Sequence, residues 1–215
     1  MNLSRDLPLV ANKSALLFID VQNYCAHRHG AEFAGLSQLD FRNQYGWFFD
    51  VLERYVISNM QRLQGSFRNA GIEVMYTTIE SLTHDGRDRS LDYKITGFHV
   101  SKGSWDGRVI DQLKPNDDEI WLPKTSSSVF ISTNIDYILR NLNIQQLVIS
   151  GLITDQCVES AIRDACDLGY LITMVTDACA TYSQERHDNS LSALKGYCRQ
   201  LTTDELLSEL REGDQ

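Results

Sequence analysis

Apolar residues along this chain follow two alternating patterns. Short unbroken apolar runs are separated by longer stretches in which apolar positions recur every three or four residues. The first run, ALLFI at 15–19, closes on Asp20 and predicts a buried strand. From 47 to 69 apolar side chains stand at Phe48, Val51, Leu52, Tyr55, Val56, Met60 and Leu63. That spacing predicts a helix, with Gly71 as its stop. The β-rich run IEVMYTT at 72–78 predicts a second strand, and EIWL at 119–122 a third that ends at Pro123 and Lys124. QLVIS at 146–150 and LITMVT at 171–176 predict a fourth and a fifth. Helices are predicted over 134–142 and 155–168, the second closed by Gly169, and over 185–197. A short strand near 198–201 and a helix over 203–211 finish the chain.

Strands that are apolar throughout are buried on both faces, and their alternation with helices predicts a parallel sheet covered on each side. Right-handed crossovers make this a Rossmann-like three-layer α/β sandwich with a mostly parallel central sheet. Ligands in such sheets sit beyond the carboxyl ends of the strands. The positions to inspect are therefore Asp20, Glu80, Lys124, residues 151–157 and residues 177–182. The stretch 81–118 breaks the pattern, with Gly86, Gly97, Gly103 and Gly107 among scattered charges. Loops this long usually carry function. Tyr93, Phe98 and Trp105 predict an ordered lid or cover over part of a pocket. The span 1–215 is read as one domain.

Composition narrows the classes. A chain of 215 residues buries roughly 70% of its unfolded surface and needs no disulfide or structural metal to fold. Twenty Lys and Arg against 29 Asp and Glu give a formal charge of -9. That balance argues against nucleic acid and anionic membranes as partners, because both need a basic face. No apolar run approaches the length of a membrane span. The stretch MNLSRDLPLVANK has no apolar core ahead of a cleavage site. Cys25, Cys157, Cys166, Cys179 and Cys198 are odd in number and form no C-x-x-C, so reduced thiols in a cytoplasmic protein are expected. No G-x-G-x-x-G follows the first strand and no G-x-x-x-x-G-K-[ST] occurs, which removes the support for dinucleotide or nucleotide binding.

Three ionisable residues stand at strand ends: Asp20 in FIDVQN, Lys124 in LPKTSSS and Cys157 in SGLITDQCVES. Each has an ordinary structural reading, as a turn carboxylate, a solvated ammonium and a buried thiol. The strand QLVIS, Gly151 and then Cys157 opening a helix form a strand–turn–helix elbow. A thiol there meets the positive end of the helix dipole and is expected to have a lowered pKa, more so beside Lys124. Asp20 could accept the thiol proton and return it to a leaving amine.

At this point the sequence resembles a known family. D-x-Q-N after the first strand, P-K before the central helix and G-(apolar)-x-T-x-x-C-V after a later strand are similar to the isochorismatase-like cysteine hydrolases. The resemblance runs from about Asn12 to Leu207. It implies the isochorismatase-like hydrolase fold, a catalytic triad of Asp20, Lys124 and Cys157, and a cis peptide between Leu152 and Ile153. It further implies that the backbone N–H groups of Ile153 and Cys157 form an oxyanion hole. Family members that act on a vinyl ether typically lack the cysteine, so Cys157 favours hydrolysis of a C–N bond. Nicotinamidases of the family carry a D-x-H metal element, which is missing here. His27 and His29 lack a carboxylate partner, and no metal and no cofactor are expected.

The stretch KGSWDG at 102–107 and CVES at 157–160 look most like the metal-free ureidoacrylate and biuret hydrolase branch. The expected activity is cysteine-dependent hydrolysis of a small linear amide or ureido compound. Substrate-binding candidates are Gln22, Asn23, Glu80, Gln156 and Tyr182. Glu80 could instead orient Lys124. Amide side chains suit a urea because they offer both a donor and an acceptor edge. A carboxylate on the substrate would call for an arginine fork, with Arg28, Arg87, Arg89 and Arg186 available. The substrate's charge stays open. Cys25 could line the pocket, and Cys166, Cys179 and Cys198 read as small buried apolar groups. The resemblance implies a homo-oligomer, a dimer or tetramer. The alternatives are another hydrolase of the isochorismatase or nicotinamidase type, or a non-enzymatic binding or thiol-redox protein on the same fold. For a redox role Cys166 lies about 13 Å along the predicted helix from Cys157, too far for a disulfide.

Overall fold

The computed structural model describes residues 4–213. The first three residues of the stretch read for a leader, and the last two of the span read as one domain, lie outside the described residues. Strand β1 (Ser14–Ile19) is buried over its whole length and sits at the centre of a six-stranded sheet. It is followed by β2 (Glu73–Ile79), β3 (Ile120–Lys124), β4 (Gln146–Leu152), β5 (Leu171–Ala180) and β6 (Arg199–Leu201). The order across the sheet is β3-β2-β1-β4-β5-β6, and every neighbouring pair is parallel. The α/β sandwich predicted from the hydrophobic pattern is the fold observed.

Between β1 and β2 run a short helix α1 (Asn23–Ala26) and one long helical stretch. The stretch comprises α2 (Gln38–Val51), a π-helical turn (Leu52–Val56) and α3 (Ile57–Asn69). It starts well before the predicted Trp47. Ser37 caps it by accepting the Asp40 N–H at 3.1 Å. The first turns face solvent and carry few apolar positions, so periodicity does not announce them. Phe48, Phe49, Leu52, Val56, Met60, Leu63 and Phe67 form the buried stripe behind the sheet.

The segment between β2 and β3 is ordered. Helix α4 (Leu91–Thr96) is capped by Ser90 and ends at Gly97, whose φ is 78°. Single 3₁₀ turns follow at Trp105–Gly107 and Asp111–Leu113. Helices α5 (Val129–Ser132) and α6 (Ile135–Asn141) lead to β4. Beyond β4 come a π-helical turn (Thr154–Val158) and α7 (Glu159–Asp167), and after β5 comes α8 (Gln184–Leu194). Helix α9 (Thr203–Gly213) follows β6. Strand β5 runs past the predicted end at 176, through Ala180, after a register irregularity against β4 between Ile149 and Gly151.

Candidate active site

After β3 the chain returns to the far side of β1, so β1 and β4 flank the point where the strand order reverses. A crevice opens at the carboxyl ends of such strands. The register aligns the ends: Ile19 pairs with Gly151, and Ile79 with Lys124. Gly151 has φ 142°, and a Cβ built there would lie 2.2 Å from Ile19 O. Only glycine lets β4 pass this close to β1. Asp20 leaves β1 with φ 52°, a left-handed conformation that asparagine and aspartate adopt more readily than most residues.

Asp20, Lys124 and Cys157 meet here. Lys124 Nζ lies 2.8 Å from Asp20 Oδ2 and 3.4 Å from Cys157 Sγ, and it donates to Ser126 O at 2.9 Å. All three side chains are buried, Lys124 completely. The Lys124–Asp20 approach is a close ion pair without directed hydrogen-bond geometry, and among the described residues neither Asp20 oxygen has a partner in such geometry. Burial raises the Asp20 pKa against the pull of Lys124. Burial works to lower Lys124, but Asp20 and Cys157 outweigh it and hold the ammonium above its ordinary range.

The expectation of a lowered thiol pKa is corrected. Burial pushes Cys157 up to about 12, with Asp20 adding to the rise and Lys124 only partly offsetting it. Burial therefore outweighs the Lys124 ammonium at the sulfur, and Asp20 is the carboxylate beside it.

The elbow that carries Cys157 is anchored from outside. Asp155 accepts from Thr181 Oγ1 at 2.6 Å and from Arg186 Nε at 2.6 Å. Thr154 Oγ1 and His187 Nδ1 are 3.1 Å apart, and Glu159 accepts from Ser190 Oγ at 2.6 Å. The Leu152–Ile153 peptide is cis. The N–H groups of Gln156 and Val158 donate to Ile153 O at 3.0 and 3.3 Å.

A cavity of about 410 Å³ opens beside the sulfur. Asp20, Ile153, Gln156, Cys157 and Tyr182 line it, as do Cys25, Glu32, Ile79, Tyr93, Phe98, Ser127 and Leu152, with Asp92 and Thr96 at its exposed mouth. Tyr93 Oη lies 3.9 Å from Cys157 Sγ. Cys25 Sγ donates to Asp20 O at 3.2 Å. Tyr182 Oη donates to Glu32, whose pKa burial lifts to about 7.

Three of the substrate candidates lie elsewhere. Gln22 is fully buried outside the cavity: its Nε2 donates to Ile79 O at 2.9 Å and Asp106 O at 3.1 Å, and its Oε1 accepts from Ile79 N–H at 2.6 Å. Asn23 Nδ2 donates to Trp105 O at 2.9 Å. Glu80 accepts the Gly103 N–H at 2.8 Å and lies so close to Gly107 that a Cβ there would sit 2.6 Å from Oε2. These three hold the 101–107 loop against the sheet edge, and Glu80 is not paired with Lys124. Trp105 packs edge-on to His27, 5.0 Å away, and does not reach the cavity.

Sequence reasoning missed Glu32, because it sits in a loop beyond α1 where no periodicity operates. Tyr93 could be found only as part of the cover segment. Arg28, Arg87 and Arg186 are paired with Glu53, Asp85 and Asp155, and Arg89 donates to the carbonyls of Gly86 and Phe98. Among the described residues no three His, Cys, Asp or Glu side chains gather as a metal site, and no helix is long and apolar enough to cross a membrane.

The buried Asp–Lys–Cys cluster thus stands at the strand-order reversal of a parallel sheet, where α/β enzymes bind their ligands. Residues 14–205 match the isochorismatase domain, and the chain belongs to that family. The ureidoacrylate amidohydrolase RutB of Klebsiella pneumoniae subsp. pneumoniae is 31% identical over 189 residues, covering 80% of this chain and 75% of that protein. RutB of Rhizobium rhizogenes is 29% identical over 188 residues, covering 80% and 72%. Among solved structures, a cysteine hydrolase from Pseudomonas syringae pv. phaseolicola superposes with a TM-score of 0.81 at 20% identity, covering 96% of each chain. N-carbamoylsarcosine amidase from Thermoplasma acidophilum gives 0.68 at 26%, covering 89% of this chain and 97% of that one.

Proposed function

We propose that this protein is a cysteine-dependent amidohydrolase of small linear ureido or amide compounds. The observation that carries the reading is the approach of Lys124 Nζ to Asp20 Oδ2 (2.8 Å) and Cys157 Sγ (3.4 Å) beside an open cavity. The amidohydrolase and amidase relatives support the bond type.

In the proposed cycle Asp20 takes the thiol proton as the sulfur attacks the carbonyl carbon. Lys124 balances the charge that appears on sulfur. The N–H groups of Ile153 and Cys157 hold the oxyanion; such donors are each worth about 3 kcal/mol in the transition state. Asp20 then gives its proton to the leaving nitrogen, the C–N bond breaks, and ammonia or an amine departs. Water, losing a proton to Asp20, cleaves the sulfur–acyl bond and restores the thiol. Tyr93 and Phe98 act as the cover, and Gln156 and Tyr182 as substrate contacts. All five cysteines are free, which supports a reducing, cytoplasmic setting. The protein is a homo-oligomer in this reading, with exposed Leu91, Ile95, Ile131 and Tyr137 as candidate contacts.

Cys157→Ala is expected to lose at least about 1000-fold in ammonia release from small ureas with its circular dichroism unchanged. Retained turnover in that variant would remove the sulfur from the reaction and end this reading.

A further inference from the structure

The charge of the cavity wall carries an inference about substrate class that rests on the amidohydrolase reading. Every charged side chain on that wall is acidic: Asp20, Glu32 and, at the mouth, Asp92. No arginine, lysine or histidine reaches it among the described residues. Lys124 lies behind the wall, wholly buried, with its ammonium already committed to Asp20, Cys157 and Ser126 O. The arginines that might have served an anion are engaged elsewhere, as described above.

Glu32 is turned to the cavity in a particular way. Its Oε1 accepts from Tyr182 Oη, while its Oε2 accepts no hydrogen bond from the protein among the described residues. The Gln156 side-chain amide, on the same wall, is likewise free of protein partners among the described residues. The rest of the wall is mainly apolar or aromatic, with Ile79, Tyr93, Phe98, Leu152 and Ile153, and its other polar groups are the uncharged Ser127 and Thr96 hydroxyls and the Cys25 thiol. The half-buried Glu32 carboxylate can accept an N–H donor from the ligand, and a ligand carboxylate placed there meets like charge without a cation on the wall to neutralise it.

We infer that the cavity selects an uncharged or cationic carbamoyl compound whose N–H groups face Glu32, and rejects substrates that carry a carboxylate. The preference therefore differs from that named for the ureidoacrylate relatives, whose substrate is an acid. Glu32 is the specificity-determining residue of this wall.

Ammonia release from four compounds tests the idea: biuret, N-propylurea, N-(2-aminoethyl)urea and 3-ureidopropionate. They offer neutral, cationic and anionic groups of similar length. The expected result is turnover of at least one neutral or cationic compound, with kcat/KM for 3-ureidopropionate lower by about 100-fold or more. Measured at about pH 8, where Glu32 is ionised, Glu32→Gln should shrink the ratio of cation to anion by about 10-fold, because one like charge is removed. If 3-ureidopropionate is turned over as well as N-propylurea or better, the inference falls while the hydrolase reading stands. If none of the four releases ammonia, the hydrolase reading falls and the inference with it.

Discussion

Glu32 titrates near 4.5 in an unfolded chain and near 7 in the folded one, chiefly because burial penalises its charge; the Tyr182 hydrogen bond offsets only part of this. Between those two values the folded state holds a proton that the unfolded state has released. Stability therefore falls as pH rises from 4.5 to 7. The loss corresponds to about 3 kcal/mol. Glu32→Gln keeps the side chain's shape and an acceptor for Tyr182 but has no proton to give up. Urea unfolding at about pH 4.5 and about pH 8 should show the variant gaining about 3 kcal/mol on the native protein across that window. Parallel curves would mean that Glu32 is hydrated and its carboxylate unstrained. The contrast with Asp20, Lys124 and Cys157 explains what could be read beforehand. Asp20 follows β1, Lys124 ends β3 and Cys157 lies in the turn after β4, and sheet register fixes where those strand ends lie. Glu32 lies in a loop whose path depends on tertiary packing, and Gln22 was misjudged because backbone groups at the sheet edge compete for its amide.

At the scale of elements, the elbow between β4 and α7 decides where the sulfur points. Its hydrophobic spacing was legible as a helix, but the π-helical turn at its start was not, since a single widened turn leaves the apolar stripe nearly unchanged. Nor did the pattern foretell the ties from the far end of β5 and from α8, which join residues remote in sequence. Asp155 is the principal tie, bonded to Thr181 and Arg186. Arg186 also lies over the Tyr182 ring, 5.0 Å from its centroid, so the tie continues to the wall that holds Glu32. Asp155→Ala is expected to cost about 2 kcal/mol of stability, as charge-assisted hydrogen bonds do. Because the thiol would lose its fixed approach, kcat should fall about 10-fold or more with a smaller change in KM. Steady-state kinetics beside a thermal melt separates the two effects. A melt that drops while kcat holds would show that Cys157 is positioned without help from Asp155.

Across the molecule, the strand order places the cavity at the seam of the sheet. Its wall draws on the end of β1, the end of β2, α4, the β4 elbow and the loop after β5. Those elements lie on both sides of the strand-order reversal, so a ligand in the cavity contacts each half of the fold. The parallel sheet followed from alternating strands and helices, but the strand order that sets the seam did not, and the cover could be anticipated only as an irregular stretch, because glycine-rich segments take their shape from what they pack against. A ligand that binds only the folded state stabilises it by mass action, about 2.7 kcal/mol at 100 times its dissociation constant. In a domain of this size that raises the melting temperature by about 5–10 °C. Cys157→Ala with saturating N-(2-aminoethyl)urea should show this as a shift of one undivided calorimetric transition. Hydrogen exchange should slow in β1 and β4 as well as in the cover. Protection confined to residues near α4, with the main transition unmoved, would mean that the ligand orders only the cover and that the two halves of the sheet are not coupled through the site.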